Sequence, residues 1–146
     1  MIKGSEIIFI IVMFALLIIA GCSNKESTIP KQDILQVPTQ SEIKATGSTE
    51  TGDVLIELTP HAINNGKLEV DIAANTHSVD LAQFDLKEIT TLSFNGKELK
   101  PSSAPSLTGH HSSGTLVFDV GSNTESYTIT IIGIPLIEER IFTFGD

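Results

Sequence analysis

From Asp53 to the C-terminus, apolar and polar residues alternate with a period of two, the pattern of strands that bury one face. Val54, Ile56 and Leu58 alternate with Asp53, Leu55, Glu57 and Thr59, and Leu68, Val70 and Ile72 alternate with Lys67, Glu69, Asp71 and Ala73. A third run, Ile89 to Phe94, ends at Asn95-Gly96, where both positions tolerate the positive φ of a tight hairpin. Lys97 to Lys100 is the return strand. Thr115 to Val120 follows with Leu116, Phe118 and Val120 inward, then Tyr127 to Ile132 with Tyr127, Ile129 and Ile131 inward, and finally Ile141 to Phe144. Turn formers punctuate these runs at Asn64-Asn65-Gly66, Pro101 to Gly114, Gly121-Ser122-Asn123 and Gly133 to Pro135. About seven short strands without a sustained helical period predict an all-β fold, an immunoglobulin-like antiparallel β-sandwich over residues 53–146. A small closed barrel is the competing arrangement.

Upstream the pattern changes. Residues 22–52 are rich in Ser, Thr, Glu, Gln and Lys, carry Pro30 and Pro38, and show no apolar period beyond Ile34-Leu35-Gln36-Val37. They read as a flexible linker whose roughly 30 residues have an r.m.s. span of about 30 Å. Ahead of it, the apolar run from Ile7 to Gly21 follows a single lysine, Lys3, and stops at Cys22. A basic start, an apolar stretch and small residues at its end make a signal peptide over residues 1–21. An uncleaved anchor is the alternative, but a bilayer-spanning helix needs about 20 apolar residues and this run is shorter.

The four residues Ile19-Ala20-Gly21-Cys22 resemble the lipobox of prokaryotic membrane lipoproteins. The resemblance implies that the Cys22 thiol receives a diacylglyceryl group, that the leader is cut before it, and that the new amino terminus is acylated, with palmitate as a typical chain. The mature protein would then begin at Cys22, lipid-anchored to the cell membrane and facing the extracytoplasmic side. Two or more acyl chains make such an anchor lasting. An aspartate after the cysteine tends to keep Gram-negative lipoproteins at the inner membrane, and Ser23 is not that signal.

Charge narrows the partners. The formal charge is −9, and losing Lys3 and Glu6 with the leader leaves it unchanged. A lysine-poor acidic surface argues against nucleic acid and against anionic lipid, since both need clustered cations. The one cysteine and the absence of tryptophan rule out the disulfide and tryptophan hallmarks of antibody domains, so the core must hold without a cross-link.

Catalytic signatures are missing: no Gly-x-Ser-x-Gly elbow, no phosphate-cradling glycine loop, no His-Glu-x-x-His helix. The histidines carry the remaining chemistry. His77 lies just past the second strand in Thr76-His77-Ser78-Val79-Asp80-Leu81, His110 and His111 share the longest loop, and His61 stands alone after Pro60. Together His77, His110 and His111, with Asp80 or Asp85, could supply ligands for a metal of the zinc or copper class. In the competing reading they are structural: His77 braces a turn, Asp80 accepts from nearby amides, and His110 and His111 face solvent or bond across to the His77 loop. Thr76-His77-Ser78-Val79-Asp80-Leu81 together with Gly109-His110-His111 also resembles small extracytoplasmic domains of unknown function in bacteria and archaea, over roughly residues 52–144. That resemblance implies that the two histidine segments act together. The aromatic-rich stretch expected before the paired histidines is here Pro101-Ser102-Ser103-Ala104-Pro105-Ser106.

The sequence thus predicts a membrane-anchored lipoprotein presenting a binding or accessory module, with an extracytoplasmic copper or zinc carrier as the alternative. Blue-copper electron transfer is disfavoured, because it needs a cysteine thiolate. A hydrolase with an unfamiliar site is the remaining reading.

Overall fold

Where the apolar residues alternate, the chain is extended, and the two sets of inward side chains pack on each other. A computed structural model describes residues 42–121 and 125–145. The expected signal peptide, the lipobox-like residues with Cys22, and the expected linker as far as residue 41 lie outside the described residues. Eight strands form: β1 Lys44–Thr46, β2 Leu55–Pro60, β3 Lys67–Asn75, β4 Thr90–Phe94, β5 Lys97–Leu99, β6 His111–Asp119, β7 Tyr127–Ile132 and β8 Glu139–Phe144. They make two four-stranded antiparallel sheets, β1-β2-β3-β6 and β5-β4-β7-β8. The connections β3–β4, β5–β6 and β6–β7 cross from one sheet to the other, the Greek-key pattern expected of an immunoglobulin-like sandwich. Each sheet ends on its own edge strands, so the barrel is excluded.

The burial pattern has the predicted phase. Val54, Ile56, Leu58, Leu68, Val70, Ile72, Leu116, Phe118, Ile129 and Ile131 are buried, joined by Leu92, Phe94, Phe142 and Phe144. Each such side chain contributes about 1.5–3 kcal/mol relative to exposure. Two hairpins turn on Asn-Gly pairs, Asn65-Gly66 (φ 50° and 72°) and Asn95-Gly96 (φ 47° and 72°). Positive φ at both central positions matches the right-handed twist of the flanking strands.

Three local expectations change. Residues 44–46, placed in the flexible linker, form an edge strand in register with β2, Lys44 opposite Leu58 and Thr46 opposite Ile56. Ile89 is not the start of a strand but the last residue of a one-turn helix, α1 Leu86–Ile89, capped by Asp85, whose side chain accepts from the Lys87 amide. β6 begins at His111, four residues before the predicted Thr115, and so shortens the histidine loop.

Candidate functional site

Three groups of polar side chains stand out, and burial separates them. The first is at the end of the sandwich where β3 finishes and β6 begins. Asn75 pairs with His111 as the last register of that ladder, and the Thr76 amide extends it by donating to the His110 carbonyl at 2.9 Å. Thr76 is fully buried. Its hydroxyl donates to the Asp53 carbonyl at 2.7 Å and accepts from the Ser78 and Val79 amides at 3.3 and 3.2 Å. That threonine turn, with the Gly52 amide donating to Ser78 Oγ at 2.7 Å, fixes the backbone on both sides of His77.

On this frame the His77 and His111 rings meet edge to face, with centroids 6.5 Å apart and planes at 78°. His111 Nδ1 lies 2.8 Å from Asn75 Oδ1. An amide oxygen only accepts, so Nδ1 is the donor and, in the neutral ring, Nε2 keeps its lone pair. The structure therefore brings together two of the residues singled out in the sequence. It does not bring the others. The His110 imidazole makes no ring or hydrogen-bond contact with either among the described residues. Asp80 caps the 3₁₀ turn Leu81–Gln83, its Oδ1 accepting from the Ala82 amide at 3.0 Å, and Asp85 caps α1. Among the described residues no three His, Cys, Asp or Glu side chains gather as a metal set. Asn75 was missed by sequence reasoning; its signal is the register that sets it opposite His111.

The second group is buried. Arg140, on the inward face of β8, is 1% exposed. Its Nη2 donates to Asp53 Oδ1 and to the Pro135 carbonyl, each at 3.1 Å, and its Nη1 donates to Thr46 Oγ1 at 3.2 Å. Asp53 Oδ1 also accepts from the Val54 amide at 2.7 Å, while Oδ2 accepts from the Ser48 amide at 2.8 Å and hydroxyl at 3.0 Å. Burial opposes the charge on Asp53, but the bonds from Val54, Arg140 and Ser48 outweigh it and hold its carboxyl below the ordinary aspartate value. Gly47 (φ 80°) lets the chain pass this node; a Cβ there would collide with the Val54 carbonyl oxygen and Arg140 Nη1. Lys44 Nζ also sits 5.5 Å from the centre of the Phe144 ring. β1 is thus tied to β8 at both of its ends.

The third group lies on the outer face of the first sheet. His61 Nε2 is 2.7 Å from Asp71 Oδ2, and Thr115 Oγ1 donates to Asp71 Oδ1 at 2.8 Å. The bond from His61, then that from Thr115, hold the Asp71 carboxyl below its ordinary value. A shallow cavity of about 380 Å³ opens beside them between Ile43, Glu57, Asp71 and Ser113, over the small side chain of Ala73.

Compared with known proteins, the chain matches no protein family, no curated sequence and no solved structure.

Proposed function

We propose that the protein is an exported lipoprotein, held at the membrane by lipid on Cys22, whose β-sandwich serves as a binding or accessory module outside the cytoplasm. The observation that carries this reading is the lipobox-like Ile19-Ala20-Gly21-Cys22 at the end of an apolar leader. The first strand after the linker is bonded through Thr46 and the Ser48–Asp53 turn to Arg140 in the last strand. This node fixes the N-terminal edge of the sandwich to its core.

Action by binding, rather than by catalysis, also accords with the polar groups. The Asp53–Arg140 node is closed to a substrate. In the His61 cluster, Thr115 bonds to the carboxylate and not to the imidazole, so hydroxyl and base are not in the contact that activates a nucleophile. Metabolic labelling with a palmitate analogue, followed by fractionation, tests the anchor. Wild-type protein should carry label in the membrane fraction and Cys22→Ser should carry none. Label persisting in the variant, or unprocessed full-length protein in the cytosol, would overturn the reading.

A further inference from the structure

We propose that His77 and His111 form a two-imidazole site for one divalent transition-metal ion of the zinc, copper or nickel class. This names a ligand for the binding module and rests on that reading only for where the protein resides. The two histidines come from separate segments, and each segment is fixed by a bond to buried Thr76: its hydroxyl accepts from the amides of the His77 turn, and its amide donates to the carbonyl preceding His111. The site is therefore held by backbone and does not depend on the imidazoles.

The contact between the His77 and His111 rings and the His111–Asn75 bond lie at the surface, outside the core. Both residues are exposed, and His77 makes no hydrogen bond through its ring among the described residues. His111 carries instead the feature that orients a metal-binding imidazole: its Nδ1 donates to Asn75, which fixes the ring and leaves Nε2 with the free lone pair. With centroids 6.5 Å apart, both imidazoles lie within reach of one ion, given metal–nitrogen bonds of about 2.0–2.1 Å. In an edge-to-face pair one ring presents its face, and imidazole lone pairs lie in the ring plane, so that ring must turn about its side-chain torsions to bring a nitrogen to the ion.

Imidazole nitrogen suits zinc, copper and nickel, whereas calcium and magnesium demand oxygen ligands. Two nitrogens leave further coordination positions to water or to a ligand from a partner, so the ion stays exchangeable. That suits passing or sensing a metal better than storing it. The acidic chain, at −9, draws cations toward itself.

Isothermal titration of tag-free, full-length Cys22→Ser protein with Zn²⁺, Cu²⁺ and Ni²⁺ tests the site, the substitution removing the only thiol. One ion per chain should bind. His77→Ala and His111→Ala should each weaken binding by at least about tenfold, and Asn75→Ala, which frees the His111 ring, by about tenfold. His110→Ala and His61→Ala should leave affinity within about twofold, since neither side chain belongs to the pair. Melting curves without metal confirm that each variant is folded. Absence of binding at millimolar metal overturns the proposal. So does an undiminished affinity in His77→Ala, or a loss in His110→Ala as large as in His77→Ala. Failure of the lipid anchor would appear in fractionation and leave this titration unaffected, so the two readings fail separately.

Discussion

Asp53 and Asp71 each hold a basic side chain within 3.1 Å, yet only one of them organises the fold. The Arg140 and Asp53 side chains are 0% and 10% exposed, while those of His61 and Asp71 are 46% and 52% exposed. On the surface, water competes for both charges and salt screens them, so such a pair is worth about 0–1 kcal/mol. In the interior, neither partner can return to water if the other is lost. The same chemistry is thus decoration in one place and a fastener in the other, and the fastener lies at the N-terminal edge of the sandwich.

Removing one partner gives the largest separation between the two pairs. Arg140→Met leaves Asp53 buried without its cation and should lower stability by about 3–5 kcal/mol in denaturant unfolding. A loss under about 1 kcal/mol would place the node in the same class as the surface pair. Adding Asp53→Asn to Arg140→Met should recover part of that loss, because the two sites are coupled.

Backbone passage comes next. Gly47→Ala puts a side chain at positive φ against the Val54 carbonyl and Arg140, and should cost about 2 kcal/mol or more. Gly96, also at positive φ, has nothing within 4 Å of an added Cβ, so alanine there should cost only the backbone strain of about 1–2 kcal/mol.

Acid sharpens the comparison through linkage. The folded Asp53 carboxyl lies below its ordinary value of about 3.9, so the unfolded chain binds more protons in acid. The stability it supplies is complete above that value and is lost as pH falls through it toward the folded value. Melting temperature should therefore drop below about pH 4, and Asp53→Asn should flatten that drop. Asp71 shifts in the same direction, through its bonds from His61 and Thr115, but its exposed pair should weaken more at high salt than that of Asp53. The smallest effect belongs to His61→Ala, at most about 1 kcal/mol and salt-dependent.

The alternation made the central strands legible because burying one face of a sheet leaves a period of two in the chain. β2, β3 and β7 carry that signature along six to nine residues, and β6 only along its second half from Thr115. β1 is only Lys-Ala-Thr, too short for a period, and what holds it comes from elsewhere: the β2 ladder, Arg140 and Phe144. Arg140 lies one residue before the predicted strand Ile141 to Phe144, and only the observed start at Glu139 puts it in phase with Phe142 and Phe144, inward, leaving Ile141, 56% exposed, outside. The partner of Arg140 was not legible, because Asp53 lies 87 residues away and no local pattern links them. The histidine segments were visible as candidates, but which of them meet depends on the β3–β6 register. That register pairs Asn75 with His111, beside the His77 turn, and leaves His110 with a backbone role.

Native-state hydrogen exchange of β1 tests the lock most directly. If the node fastens the first strand to the core, the Ser48 amide, bonded to Asp53 Oδ2, and the ladder amides of Lys44–Thr46 should exchange only through global unfolding, as slowly as those of β3. In Arg140→Met they should exchange by local opening while β3 stays protected. Rapid, end-fraying exchange of these amides in the wild-type protein, with the core intact, would contradict the lock.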